Sequence, residues 1–490
     1  MSSTNIGSDL QSEDTQDFSF SIDKYPFLTA ELGGGIQVTQ HRRPYITGEE
    51  IEAFILCTLG SGVAMLGYYM YHGGTNPKGK LSTLQESKAT GMYNDLPELS
   101  YDFHAPLTEY GQMSDTFRKL RRIHLFTGDF GKELAASQVY FPDDNPQSAE
   151  DMESLRYSIR YGDLGGFLFL NNFQRRHNMS NKEDISITIE TAKGIVNFPT
   201  LDLEDKNKWI FPFQITLNKV YLKWATAQLL CNIKNGADNT LVFFGDKLKE
   251  TALCFSKTGI LSIEAYGANV NENNEDYNIS INMPDSKVYV ILKLEDGSRI
   301  ILLVLNEQQS ERAGKVILDD QEYLIISDAD IYNGPIDIRL INNKASAYLL
   351  MYPKLSKEEV LCKGVLASQD GISMQDDIGL FSNYSIKFWS LTNGKVDIPL
   401  NVVNSFKKLN NDGLAFEFSL PQEIYQLDYE WFLNIGFAGD KARLWINGEL
   451  EADWFYLWIR DDWMKKGSFS NKMKKVLDTY VFSRLLRNEC

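Results

Sequence analysis

A change of pattern near residue 135 divides this chain into two kinds of structure. Before it, Tyr25–Ala30 and Val63–Tyr71 are apolar runs without alternation, as expected of parallel strands covered on both faces. Between them Thr47 stands three residues ahead of Glu50, a capping box, and Ile51, Phe54, Ile55 and Leu59 recur at helical spacing up to Gly60 and Gly62. Ser114 caps a second predicted helix, SDTFRKLRRIHLF, with Phe117, Leu120, His124 and Leu125 on one face and Lys and Arg on the other. Strand, helix, strand, loop, helix is the grammar of a parallel (β/α) barrel. After residue 135 the period becomes two. Ile185, Ile187 and Ile189 alternate, AFEFSL alternates, and Asp296-Gly297, Asn393-Gly394 and Asn447-Gly448 are hairpin turns between apolar runs. Residues 135–460 therefore read as sandwich-like β units, with candidate breaks near 308–313 and 355–362.

Two parallel strands cannot close a barrel, which needs about 200–250 residues. The expected fold is thus multidomain: an incomplete (β/α)8 TIM-barrel portion over 1–130, then all-β sandwich units over 135–355 and 360–460, and a basic tail over 461–490. Within that tail KMKKVLDTYVFSRLL is a candidate terminal helix. The net charge of −17 argues against a nucleic-acid backbone as partner and suits a neutral substrate. No run approaches the roughly 18 apolar residues of a membrane span, and residues 1–20 carry no secretory signal pattern. Cys57, Cys231, Cys254, Cys362 and Cys490 stand singly, which suits a reducing compartment, so the expected location is cytoplasmic. His41, His72, His104, His124 and His177 include no zinc spacing, and Gly33–Gly35 do not form a nucleotide loop. No metal and no cofactor are expected.

The chemistry gathers at the strand ends. Glu31 closes the first apolar run and Gly33–Gly35 follow; Tyr69–His72 close the second and Gly73-Gly74 follow. In a barrel, catalytic groups stand at carboxyl ends of strands. By this pattern alone Glu31 is either a catalytic carboxylate or a solvated loop residue. Strand alternation puts Tyr69 and Tyr71 on one face and Tyr68 on the other.

YYMYHGGTN (68–76) followed by SYDFHAPLTEYG (100–111) resembles the eighth strand and following loop of glycoside hydrolase family 35, the β-galactosidases. Pro26–Gly35 is similar to the family's seventh strand. GFLFLNNFQRRH (166–177), LKWATAQLLC (222–231) and GDKARLWINGE (439–449) are similar to its accessory β units, the last to the closing hairpin of a galactose-binding jelly roll. The resemblance implies a retaining hydrolase that removes terminal β-galactose from galactosides or oligosaccharides. It makes Glu31 the nucleophile, Tyr69 the phenol that holds that carboxylate, and Tyr101 a lining of the galactose pocket. Phe103 stands where the family has a second Tyr, His104 where it has Asp, and Pro77 where it usually has Phe, which bears on fine specificity.

A retaining glycosidase sets its nucleophile and its acid/base about 5–5.5 Å apart. In this family the acid/base belongs to an Asn-Glu pair upstream of the nucleophile. The pairs here are Asn271-Glu272, Asn274-Glu275, Asn306-Glu307 and Asn488-Glu489, all downstream, and the only Glu before Glu31 is Glu13. The expectation is a carboxyl-terminal portion without the first six strands, inactive alone or complemented by a separately encoded amino-terminal barrel half. Glu86, Glu98 and Glu109 are the fallback acid/base residues. The alternative is a non-catalytic carbohydrate-binding protein that keeps only the β-sandwich units.

Overall fold

The computed structural model describes residues 25–80, 84–146, 148–236, 238–245, 251–333, 338–341, 346–362 and 372–387, with the segments 407–409, 413–415, 432–434, 441–455 and 481–483. The expected turn at Asn393-Gly394, AFEFSL beyond Ala415 and most of the basic tail lie outside them. Within the tail, Val481–Ser483 is a strand paired antiparallel with Phe432–Asn434 and not part of a helix. A β-branched residue followed by an aromatic favours that extended form.

The amino-terminal segment contains β1 (Leu28–Leu32), α1 (Gly48–Gly60), β2 (Met65–Tyr68), β3 (Gly74–Thr75), β4 (Ser100–Tyr101) and α2 (Asp115–Ala135). β1 and β2 pair in parallel, Leu28 opposite Met65 and Leu32 opposite Tyr68. The capping box of α1 is formed: the Thr47 hydroxyl accepts from Glu50 N at 3.2 Å and the Glu50 carboxylate from Thr47 N at 2.6 Å. Ser114 caps α2, accepting from Phe117 N at 3.3 Å. α2 runs past the predicted stretch because its apolar face continues through Phe126, Phe130 and Leu134, all buried.

The β1–β2 pair departs from expectation. Both runs read as strands covered on two faces, yet Leu28 and Met65 are 51% and 49% exposed. Among the described residues this parallel sheet has only two strands, and these two side chains stay half open to solvent while Leu32, Leu66 and Tyr68 join the core.

Beyond α2 the chain is strand after strand. An antiparallel eight-stranded sheet runs in the order Asn269–Glu272, Asp276–Ile281, Thr251–Ser256, Val220–Ala225, Lys208–Leu217, β7 (Gly165–Asn171), β6 (Tyr157–Gly162) and β5 (Gln138–Tyr140). A five-stranded sheet follows: Gln228–Asn235, Asp238–Gly245, Arg299–Asn306, Tyr289–Leu294, Ile260–Tyr266. Its inner pair, Asp238–Gly245 with Arg299–Asn306, is parallel, whereas the hairpin at Asp296-Gly297 is formed as expected. A third sheet takes Ala313–Leu318, Gln321–Ser327, Ser346–Tyr352, Phe381–Lys387 and Ile372–Ile378. The breaks near 308–313 and 355–362 are short helices, α3 (Glu307–Arg312) and α4 (Lys357–Cys362), and the third sheet runs through the second break because Phe381–Lys387 pairs with Ser346–Tyr352. The alternating Ile185–Ile189 stretch is split. Lys182–Ile185 pairs with Leu201–Leu203 and Thr188–Thr191 with Gly194–Asn197.

The helices are not an appendage to the sheets. Ile51, Ile55 and Leu59 of α1 and Leu120, Phe126 and Phe130 of α2 share one core with Phe167, Ile210, Leu222, Phe243 and Phe255. Charged groups join the same elements. Arg122 of α2, 3% exposed, bonds Glu52 of α1 and lies 3.3 Å from Glu307 of α3, while Lys208 lies 3.0 Å from Glu52. Burial opposes the Glu52 charge, but Arg122, Lys208 and Lys119 outweigh it and hold the carboxyl at about 2. Asn306-Glu307 thus serves structure: Asn306 caps α3 and Glu307 faces Arg122.

Candidate active site

Glu31 leaves the end of β1 exposed to solvent. Three features bring the two motifs beside it. Gly34 passes so close to the chain that a Cβ there would meet the Met70 carbonyl oxygen at 2.5 Å, and one on Gly35 would meet the Phe103 carbonyl oxygen at 2.5 Å. Only glycine permits both approaches. Ile36 N donates to Phe103 O at 2.7 Å and Tyr69 N to Leu32 O at 2.8 Å. β3 pairs with β4, placing Gly74 opposite Tyr101.

The result is an aromatic cluster at the end of β1. The Tyr69 and Tyr101 hydroxyls are hydrogen-bonded to each other. The Phe103 ring lies 4.6 Å from Tyr101 and edge-on to Tyr69 at 5.6 Å. The bond to Tyr69, burial, and the nearby Tyr69 and Glu31 charges together push the Tyr101 phenol up to about 12. Glu31, Tyr69, Tyr101 and Phe103 are therefore one neighbourhood. One detail differs from expectation: Tyr69 bonds Tyr101 and not Glu31, and the Glu31 carboxylate accepts no hydrogen bond among the described residues.

The tyrosines also sort differently from strand alternation. β2 ends at Tyr68, so the period of two does not extend to Tyr71. Tyr68 and Tyr71 both turn to His124 of α2, at 2.9 and 3.4 Å, and Tyr69 alone takes the Glu31 side. Burial drives the His124 imidazole down to about 4, so at neutral pH it is an uncharged packing partner.

Phe103 and His104 have φ of 57° and 50°, a left-handed turn that costs of order 1 kcal/mol per non-glycine residue. Asp102 holds it: one carboxylate oxygen accepts from His104 N at 3.1 Å and the other from Glu109 N. The three fallback carboxylates have other surroundings. Glu86 is exposed, Glu98 is paired with Arg443 at 2.6 Å, and Glu109 is buried with one oxygen on the Thr75 hydroxyl at 2.5 Å. Burial pushes Glu109 up to about 7; bonds from Thr75 and Ser100 oppose this, and Asp102 and Asp453 add to it.

A group raised in the fold gives stability that is whole below its unfolded value, here 4.5, and is lost as pH passes about 7. Glu109→Gln keeps the acceptor for Thr75 but never ionises. It is expected to match the parent near pH 4 and to exceed it at pH 8 by on the order of 3 kcal/mol. Thermal unfolding across that range checks this, and a difference independent of pH would contradict it.

With this geometry in view, residues 4–126 match the family model of Glycosyl hydrolases family 35. The match is confined to this quarter of the chain. The family 35 segment holds Glu31, Tyr69, Tyr101 and Phe103 together with β1, α1 and β2. The chain is also similar to Probable beta-galactosidase C of Aspergillus fumigatus, 24% identical over 246 residues, 49% of this chain and 23% of that protein. Probable beta-galactosidase B of Neosartorya fischeri is 21% identical over 321 residues, 64% of this chain and 30% of that protein. The similarity therefore continues into the β sheets, and the chain spans less than a third of the length of these relatives. Among the described residues no helix is long and apolar enough to cross a membrane.

Proposed function

We propose that this chain supplies the nucleophile side of a retaining β-galactosidase-type site. Glu31 attacks the anomeric carbon of a terminal β-galactose and forms a covalent galactosyl-enzyme, which water then hydrolyses. Tyr101 and Phe103 offer an aromatic platform for the apolar face of the sugar, and Tyr69 sets the Tyr101 hydroxyl. The observation that carries this reading is the gathering of Glu31, Tyr69, Tyr101 and Phe103 at one strand end, inside the family 35 segment.

The acid/base carboxyl is supplied from outside the described residues. The surroundings of Glu86, Glu98 and Glu109 support this, since one is exposed, one ion-paired and one buried. The exposed apolar side chains Leu28 and Met65 on the two-stranded parallel sheet, with Phe27 just before it, favour further barrel strands against it. We take 1–130 as a barrel portion and the hairpin at Asn447-Gly448 as part of a jelly roll.

The test is retention of the whole chain on an immobilised β-galactoside. The parent is retained, and Tyr101→Ala, which removes the platform, is expected to pass unretained. Retention that survives Tyr101→Ala would instead favour sugar binding through the β-sandwich units.

A further inference from the structure

The backbone that carries Tyr101 is held from a distant part of the chain. Just ahead of the Tyr101 side chain, the amides of Glu98, Leu99 and Ser100 converge on one carboxylate, that of Asp453. Oδ2 accepts from Glu98 N at 2.6 Å; Oδ1 accepts from Leu99 N at 2.9 Å and Ser100 N at 3.2 Å. Asp453 lies on the second strand of the hairpin Lys441–Ile446/Glu449–Phe455 and is fully buried, 0% exposed. Successive amides that point at one anion form a concave nest, and bonds to a charged acceptor are about twice as strong as neutral ones.

The rim of the contact carries matching charges. Arg443 pairs with Glu98 at 2.6 Å, Lys78 with Glu451 at 2.8 Å, and the Arg43 guanidinium lies 4.9 Å from the Phe455 ring centre. Lys78 stands two residues after the end of the first motif and Glu98 two residues before the start of the second. The hairpin therefore holds the chain beside both motifs of the matched segment.

We propose that Asp453 is a positioning residue for the sugar site: it fixes the backbone of residues 98–100 so that the Tyr101 ring stands beside Phe103 and Glu31. This rests on the reading of Tyr101 as a substrate contact. Among the described residues the ring itself meets only Phe103, at 4.6 Å, and Tyr69. β4 is two residues long and pairs with β3 over two residues, and among the described residues the Tyr101 hydroxyl bonds only Tyr69, which is itself 39% exposed. Three charge-assisted bonds on the adjoining amides add a restraint that a two-residue strand pairing does not supply. The β hairpin is then part of the site's frame, although over 340 residues of chain separate it from Tyr101.

The experiment places 3-fluorotyrosine at position 101 of the whole chain and reads its fluorine resonance, together with hydrogen exchange of the amides of residues 98–100. Asp453→Ala is expected to move the resonance toward that of a free fluorotyrosine. It should also speed exchange at 98–100 by roughly 10–100-fold, the loss of one or two bonds to a charged group, with α1 and α2 still protected. Asp453→Glu should recover part of both effects, which general destabilisation would not. An unchanged resonance, or a shift seen only with loss of protection throughout α1 and α2, overturns the proposal. Where Asp453→Ala fails to fold, the rim pair Lys78→Ala with Arg443→Ala should give a smaller shift in the same direction, and no shift overturns it. Galactose added to the parent separates the two readings. A resonance indifferent to galactose refutes Tyr101 as a sugar contact, while the Asp453 variants still decide what holds it.

Discussion

Arg160→Met is expected to cost about 3–5 kcal/mol and to release both long helices from the first sheet. Arg160 stands on β6, 1% exposed. One guanidinium nitrogen donates to the carbonyls of Leu59 and Val63, at 3.1 and 3.0 Å, and another to the carbonyl of Leu134 at 2.6 Å. Leu59 lies in the last turn of α1 and Leu134 in the last turn of α2. A single cation therefore meets the negative ends of two helix dipoles. Burial lowers the guanidinium to about 10, so it remains charged at neutral pH. Three bonds of this type at about 1.5–3 kcal/mol each would sum to more than the stated loss. Two terms reduce it. Leu59 and Leu134 keep local turn donors from Gly62, Ser61, Ala136 and Ser137, and Met removes the cost of burying a charge. Arg160→Lys should lose about half as much, since an ammonium is a point charge and cannot span both helix ends in one plane. The measurement is the urea midpoint for loss of exchange protection in α1 and α2. A shift worth less than about 1 kcal/mol would mean that apolar packing alone holds the helices.

Glu31→Gln is expected to lower galactosyl transfer to the protein by roughly 10^4–10^6-fold, the range for loss of a nucleophile. The amide keeps the size of the side chain but cannot attack the anomeric carbon. The substrate must suit a site that awaits its acid. A dinitrophenyl β-galactoside leaves without protonation, so the first step depends on the nucleophile alone, whereas an ordinary alkyl galactoside needs both carboxyls. The parent should release about one dinitrophenol per chain in a burst, and Glu31→Gln none. A burst that survives the substitution would assign the attack to another carboxylate, Glu86 and Glu98 being the exposed and half-buried candidates.

The sequence makes local structure legible and long-range closure much less so. Thr47 with Glu50 and Ser114 marked helix starts because a cap is a contact between residues three apart. Asp296-Gly297 and Asn447-Gly448 marked hairpins because those turns accept positive φ at the second residue, 82° at Gly297 and 87° at Gly448. Glu31, Tyr69, Tyr101 and Phe103 emerged through two motifs and their resemblance to a family, and the structure brings them together. Alternation misplaces Tyr71 because it holds only while a strand lasts, and β2 stops at Tyr68. The exposure of Leu28 and Met65 had no sequence signal, since an apolar run states what a strand needs and not whether it has it. Arg160 and Asp453 were missed for a common reason. Each acts on backbone groups 26 to 355 positions away, and neither has a neighbour in sequence that hints at the partner. Asp102 was in plain view within SYDF, but its bonds to His104 N and Glu109 N follow from a left-handed turn that the residues Phe103 and His104 do not favour.

Glu31 is proposed here as the nucleophile of a galactose-specific site. The most direct measurement is covalent trapping by a dinitrophenyl 2-deoxy-2-fluoro-β-galactoside, with the labelled residue located by peptide mass spectrometry. The fluorine slows hydrolysis of the glycosyl-enzyme, so the attacking carboxylate keeps the sugar. The prediction is one fluorogalactosyl group on the peptide that contains Glu31, lost in Glu31→Gln and reduced by competing galactose. Labelling of a different carboxylate, or labelling of Glu31 that galactose does not compete, would contradict the account.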